Sequence, residues 1–289
     1  MFPKELVDLM TLSDKKESRS FSVIIYFDND YNIIDYTFKK TLIQVNKNMS
    51  YEEASEYINT KHPISQLYKI ANVLYDRKYS TDILKEPFNI HKMVEVYMIL
   101  TNVLAAQKIK EMGLYTSISR VHKKIDLDLD CDPDIANKIN IYHTDKAKYI
   151  YGEGEHGGLD EKLYTHFTSP IRRYVDIIIH RMVYNSILNK CSDITINELN
   201  EQIIVINQVH DNLKKAERES KLLVQIYDLY QNNITNIDTF GFIVAIYDNN
   251  IKVHIPDMNL DVNCRFYQSF LNIECDDTTI SITNNNESI

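Results

Sequence analysis

Hydrophobic and polar positions switch along the chain between a period of two and a helical period. From Phe21 to Phe27 they alternate, with Phe21, Val23, Ile25 and Phe27 on one face, which predicts a β-strand. Asp28 to Asn32 reads as a turn and 33–45 as a longer returning strand. The period then becomes helical. Ser50-x-x-Glu53 is a capping box that opens a short helix at 51–59. Ile64, Leu67, Tyr68, Ala71, Leu74 and Tyr75 recur at helical spacing. Residues 90–112 are apolar nearly all round, through Met93, Val94, Val96, Tyr97, Leu100, Val103, Leu104 and Ile109, so a central buried helix is predicted there, stopped by Gly113. Residues 146–151 read as a short strand. A further helix opens near Pro170, and a long one occupies 197–232. From Ile237 the period returns to two: TFGFIVAIY and IKVHI form one hairpin around a DNN turn, and LNIECDDTTISI forms another.

This pattern predicts a mixed α/β (α+β) protein. Residues 1–235 make a helix-rich first domain, 236–284 a small β-barrel fragment and 285–289 a frayed, disordered tail. The 289 residues are 44% hydrophobic with six Gly and six Pro, which suits a packed core and excludes a fibrous or disordered chain. Lys+Arg 32 against Asp+Glu 41 gives −9, which argues against indiscriminate polyanion binding but leaves room for a local basic channel. No apolar run reaches the ~18 residues of a bilayer span. The N-terminal stretch MFPKELVDLMTLSDKK has no apolar signal core. Both features predict a soluble, cytoplasmic chain with no membrane partner. Cys131, Cys191, Cys264 and Cys275 lie far apart without a C-x-x-C pair and read as reduced thiols.

The chemistry is concentrated in YTHFTSPIRRYVDIIIHR, residues 164–181. Ser169 is placed to be the N-cap and Pro170 the first helical residue. Ile171, Tyr174, Val175, Ile178 and Met182 then form a core-facing stripe. Arg172, Asp176 and His180 share another face, four residues apart. Asp176 is placed to bond an arginine one turn back and the histidine one turn ahead. Arg172, beside unpaired N–H groups and the positive dipole end, would make an anion or phosphate site. By pattern alone, an ordinary capped surface helix with one ion pair explains the same residues, and is commoner.

The string closely resembles the signature of the RNB ribonucleases, the RNase II, RNase R and exosome exonuclease family, which reads Y-T-H-F-T-S-P-I-R-R-Y-x-D-x-x-x-H-R. Further resemblances follow in matching order. MFPKEL is similar to the family's M-L-P-x-x-L, FSVIIYFDNDYNIIDYTF to its following hairpin, and LIQVNKNMSYEEA to its I-x-S-x-x-x-L-x-Y stretch. MVEVYMILTNVLAAQKI resembles its V-E-E-F-M-L-L-A-N helix and LKKAERES its M-A-x-x-A-x-R-x-S helix. The resemblance implies an RNB-type catalytic core lacking its first part, then a truncated S1/OB-like β-barrel at 236–284. It implies 3′→5′ exoribonuclease chemistry on single-stranded RNA with Mg²⁺. It also implies site residues. Arg172 would contact the scissile phosphate and neutralise charge developing there. Tyr51 would shape the RNA exit end, and Glu95 would approach the terminal riboses, although the family's second glutamate is here Val96. His166, Thr168 and Arg173 would line the same wall, with Asp176 and His180 supporting it.

The sequence also departs from the family. The family's metal is held by D-x-x-x-x-x-D-x-D-D upstream of M-L-P, and no string here reproduces it. No metal ligand is therefore assigned, and Mg²⁺ is not expected on this chain alone. The alternating Asp126, Asp128, Asp130, Asp132 and Asp134 read as a solvated acidic loop. The stretch between Tyr75 and Met93 is short, so the family's base-stacking aromatic clamp is expected to be missing. Asp160 and Glu161 fall beside the phosphate track. Met1 coincides with an internal methionine of the family, which suggests a split or truncated gene. Three readings fit: an exoribonuclease whose N-terminal half is encoded separately or was lost to a miscalled start, a degenerate homologue that binds RNA or a partner without cleaving it, and a protein-interaction scaffold without an RNA role.

Overall fold

The computed structural model describes residues 2–79, 87–111, 117–123, 136, 139–140, 144–188, 190, 194–234, 238–247, 250–258, 260–265, 271–275, 280–284 and 287–288. The chain divides into two compact units, Met1–His122 with Ala147–Gln208, and Lys123–Lys146 with Val209–Ile289. Gly113 and the acidic 126–134 stretch lie outside the described residues.

The first unit opens with α1 (Lys4–Met10), then the antiparallel hairpin β1 (Glu17–Phe27) and β2 (Ile33–Gln44). Its register pairs Val23 with Phe38 and Ile25 with Tyr36, so the predicted apolar face is continuous across both strands. Asp28 Oδ1 closes the turn by accepting from the N–H groups of Asp30 and Asn32, at 2.9 and 2.7 Å. Next come α2 (Tyr51–Ser55), α3 (Pro63–Lys78) and α4 (Ile90–Glu111). Ser50 caps α2 by accepting from Glu53 N–H at 3.2 Å, while the Glu53 carboxylate goes to Lys47 instead of closing the capping box. Strands β3 (Ile118–Val121) and β4 (Lys148–Tyr151) pair antiparallel, and α5 (Tyr174–Ile187) follows.

Phe38, Leu104, Ile109, Ile118, Phe167, Ile178, Ile179 and Leu199 form the main core, with Phe21, Val23 and Ile25 packed on it from the hairpin. Each such side chain contributes about 1.5–3 kcal/mol through burial. A smaller cluster joins Ala71, Ile90 and Met93. The helix read as central therefore serves two cores: its first turn supports α3, and its C-terminal half supports α5.

The opening of α5 differs from the sequence expectation. Pro170 is not its first residue. Ser169 O accepts from Arg172 N–H and Arg173 N–H at 3.3 and 3.1 Å, which makes an isolated turn. Arg173 is then extended, at φ −125° and ψ 119°, and the helix begins at Tyr174. The physical reason is that Ser169 N–H is bound by the buried carboxylate of Asp176 at 2.7 Å, so the chain folds back on the helix before entering it. Val175, Ile178 and Met182 are buried as expected, but Tyr174 is exposed.

The second unit holds the greater part of α6 (Ile196–Gln231), then β5 (Phe242–Tyr247), β6 (Asn250–Ile255) and β7 (Leu260–Arg265) in one antiparallel sheet. A second sheet has β9 (Ile280–Asn284) between β8 (Leu271–Cys275) and β10 (Glu287–Ser288). The architecture is mixed helix and strand, and among the described residues no barrel closes. His254 Nδ1 lies 2.7 Å from Asp261 Oδ1 across β6 and β7. In this unit α6 presents Val209, Leu213, Leu223, Tyr227 and Tyr230 at heptad spacing, all exposed.

Candidate functional site

Residues 164–173 run as an irregular strap between β4 and α5 and are fixed by buried side chains of other elements. Asn102, deep in α4, is the main anchor. Its Oδ1 accepts from the N–H groups of Phe167 and Thr168, at 2.9 and 3.2 Å, and its Nδ2 donates to Tyr164 Oη at 2.8 Å. Thr165 Oγ1 donates to Ile118 O at 2.7 Å, and Arg120 N–H to Tyr164 O at 2.8 Å. A strap held at Tyr164, Thr165, Phe167 and Thr168 in this way presents its outward side chains from an anchored backbone.

Asp176 is fully buried. Its Oδ2 accepts from Arg173 Nε at 2.8 Å, and its Oδ1 accepts from Arg173 Nη2 at 2.9 Å as well as from Ser169 N–H. Such bidentate pairs fix a guanidinium plane. Arg173 Nη2 also donates to Thr168 Oγ1 at 3.4 Å. The expected Asp176–Arg172 and Asp176–His180 pairs are thus replaced. Arg173 is the arginine held, Arg172 lies before the helix and is exposed, and His180 Nε2 bonds Phe167 O at 2.7 Å. Burial pushes the His180 pKa down, which keeps its ring neutral against the stacked Phe167 at 4.0 Å.

His166 marks where the positive charge converges. Its Nδ1 lies 2.5 Å from Tyr149 Oη. Burial first, and then the guanidinium groups of Arg173, Arg120 and Arg172, push its pKa down to about 2. The same surroundings include His156, lowered to about 4 by burial and by His122, and Tyr149, raised by burial to about 12. Arg120 stacks over the Tyr149 ring at 4.5 Å. Of the arginines acting on His166, Arg173 is compensated by Asp176, which leaves exposed Arg172 as the cation of the strap that is suited to meet an anion. His156 also begins a tight turn: a Cβ on Gly158 would stand 2.5 Å from His122 Nδ1, which instead accepts Gly158 N–H at 3.0 Å.

The other expected site residues fall along α4 and its neighbours. Tyr51 stacks on His91 at 3.8 Å, and Glu95 follows His91 by one turn on the exposed side of α4. Glu95 pairs with Lys92 at 3.0 Å and lines a cleft of about 300 Å³ with Tyr75, Lys78, Tyr79 and Glu161. No hydrogen bond or ion pair among the described residues joins Tyr51 or Glu95 to Arg172 or Arg173. Glu161 is neutralised by Lys78, and Asp160 is exposed in a left-handed turn at φ 51°, so neither opposes the arginine field directly. The basic run on α6 is laced to its own helix: Lys214 and Lys221 to Glu217 at 3.5 and 3.1 Å, and Lys215 to Glu219 at 3.8 Å. It is a solvated, self-paired face.

The donor set does not fit Mg²⁺, which takes clustered oxygen ligands. The carboxylate of the strap, Asp176, is consumed by Arg173 and Ser169. Among the described residues no group of three His, Cys, Asp or Glu could hold a metal ion. Asn102, Arg120 and Tyr149 were not singled out from the sequence. A polar asparagine inside the apolar MILTNVLAA run was the one available signal.

The family model for the RNB domain matches residues 1–132 and 128–190. The probable exosome complex exonuclease RRP44 of Caenorhabditis elegans is 23% identical over 336 residues, covering 88% of this chain and 34% of the relative. Ribonuclease R of Chlamydia pneumoniae is 24% identical over 248 residues, covering 64% and 37%. The chain thus spans about a third of the length of these relatives. Among solved structures, yeast Ssd1, a pseudonuclease, superposes with a TM-score of 0.77 at 18% identity, covering 97% of this chain and 43% of that one. Mycoplasma genitalium RNase R in complex with ribose methylated single-stranded RNA gives 0.75 at 17%, covering 100% and 56%.

Proposed function

The chain belongs to the RNB domain family, and from that premise we propose that it binds the phosphate backbone of single-stranded RNA at the 166–173 strap without hydrolysing it on its own. The observation that carries this reading is exposed Arg172 on a strap anchored by Asn102 and, through Ser169 and Arg173, by buried Asp176. Exposed Arg172 is the group free to meet a phosphoryl oxygen, and Arg173 and Thr168 form the rigid wall behind it.

Non-hydrolysis by these residues alone is supported by the donor chemistry. The acidic string that the family resemblance requires is absent from these 289 residues, and the strap offers cations where a metal would need carboxylates. Related folds occur both in RNase R and in the pseudonuclease Ssd1, so the fold by itself favours neither. The test is RNA binding by fluorescence anisotropy with and without Arg172→Ala, beside a nuclease assay with and without EDTA.

A second reading has a separate chain supplying the acidic cluster. The exposed heptad stripe of α6 favours it, because such a stripe is stabilised by a helical partner. Sedimentation velocity of the purified chain tests the stripe. Concentration-dependent association that is lost on Leu213→Glu with Leu223→Glu supports a partner-binding role, and a monomer at all concentrations opposes it.

A further inference from the structure

A second cavity, of about 600 Å³, opens between the β1–β2 hairpin and α5. Its charged lining is entirely cationic: Arg19 from β1, Lys40 from β2 and Arg181 from α5, with Ser20 and Thr41 beside them. Strand register explains the convergence. Phe21 pairs with Lys40 and Arg19 with Leu42, so Arg19 and Lys40 leave the sheet on the same face as Phe21. The Phe21 ring packs on Phe167 and His180, each at 5.5 Å between centroids. Lys40 Nζ is held 3.6 Å from the Tyr184 ring centroid. Glu17 shares the Arg19 face two residues earlier, but among the described residues neither Arg19 nor Lys40 forms an ion pair with it or with any other carboxylate.

Arg19 and Lys40, like charges on one face with no carboxylate paired to either, repel one another, and a bound anion removes that cost. In a chain of net charge −9 such a cavity needs a specific reason. We propose that it is a second phosphate site, which takes the backbone of the same single-stranded RNA beyond the segment held at Arg172. The inference rests on the RNA-binding reading above and extends it. Unpaired cations suit phosphodiester oxygens, whereas the Ser20 and Thr41 hydroxyls sit on the other face of the hairpin with Ser22 and take no part. Lys40 covers one face of Tyr184, and contacts from cations to phosphodiester oxygens are independent of base identity. His180 lines this cavity and stacks on Phe167, whose own strap carries Arg172 five residues on. The two sites therefore share one rigid element.

The test is anisotropy with a labelled 20-nucleotide single-stranded RNA across a salt series. The proteins compared are wild type, Arg172→Gln, the pair Arg19→Gln with Lys40→Gln, and a control pair, Lys61→Gln with Lys69→Gln, which removes the same charge from exposed positions lining neither site. Lys40→Met with Arg19→Gln repeats the main pair while keeping an aliphatic stem over Tyr184. The expected result is about a tenfold loss of affinity and a salt slope flatter by about 1.4 for either Arg19/Lys40 pair, as for two lost phosphate contacts at ~0.7 each, with the control pair within twofold of wild type. The same loss should recur in the Arg172→Gln background. Loss with the Arg19/Lys40 pairs but none with Arg172→Gln would leave this site standing and remove the strap reading. An Arg19/Lys40 effect no larger than the control overturns the second site alone. Absence of RNA binding by every protein overturns both.

Discussion

Asp176 and Arg173 form a buried, two-pronged ion pair, with 2.8 and 2.9 Å between carboxylate oxygens and guanidinium nitrogens, and the same carboxylate holds Ser169 N–H. One side chain inside α5 thereby folds the preceding turn onto the helix and turns Arg172 outward. Asp176→Asn keeps the shape but removes the charge. It is expected to lower unfolding stability by about 3 kcal/mol, the scale for breaking a buried pair from one side. Arg172→Ala, on the surface, should stay within about 0.5 kcal/mol of wild type. Urea unfolding of the two variants checks the contrast, and equal small effects would mean that the latch is not structural.

Asn102 should matter as much, from a different element. Asn102→Leu fills the same volume but leaves Phe167 N–H, Thr168 N–H and Tyr164 Oη without their buried partner. Each such group costs about 1–3 kcal/mol, so a loss of at least 3 kcal/mol is expected. In hydrogen exchange the Phe167 and Thr168 amides should lose protection, whereas those of β1 and β2 should keep theirs. Unchanged protection at Phe167 would show that α4 does not fix the strap.

Much of this arrangement was legible in the sequence, and the missed parts share a physical cause. The hairpin and its apolar face follow from alternation at Phe21, Val23 and Ile25, and the α2 cap from Ser50. The Ser169-Pro170 pair carried a helix-opening signal, but Asp176 captured the Ser169 N–H from seven residues away and moved the opening to Tyr174. Helical spacing pointed to Arg172 as the partner of Asp176, because i,i+4 neighbours meet only inside a helix, and Arg172 lies outside it. Asn102, Arg120 and Tyr149 reach the strap through tertiary contacts that no local period records.

Acid should destabilise this unit through its neutral histidines. His166 titrates near 2 and His156 near 4 when folded, against an ordinary 6.5. The unfolded chain therefore binds protons that the folded chain refuses, and stability must fall as pH drops below about 6.5. The His156 contribution ends near pH 4, and that of His166 continues below it. The drop in melting temperature between pH 7 and pH 5 should be smaller in His166→Gln than in wild type. An identical drop would remove His166 as a source of the pH dependence.

The central claim is that the strap binds RNA phosphate and does not cleave it, and one titration with its product analysis tests it most directly. An end-labelled single-stranded RNA is titrated with wild type and with Arg172→Ala by anisotropy, and each mixture is then resolved on a gel after incubation with Mg²⁺, with and without EDTA. The expected wild-type dissociation constant is about 10⁻⁴–10⁻⁶ M and strongly salt-dependent. Arg172→Ala should weaken binding and flatten the salt slope by about 0.7, as for one lost contact to single-stranded RNA, with the RNA intact in every lane. Binding that is undetectable at low salt or indifferent to Arg172→Ala, or EDTA-sensitive release of mononucleotides that Arg172→Ala abolishes, would contradict the account.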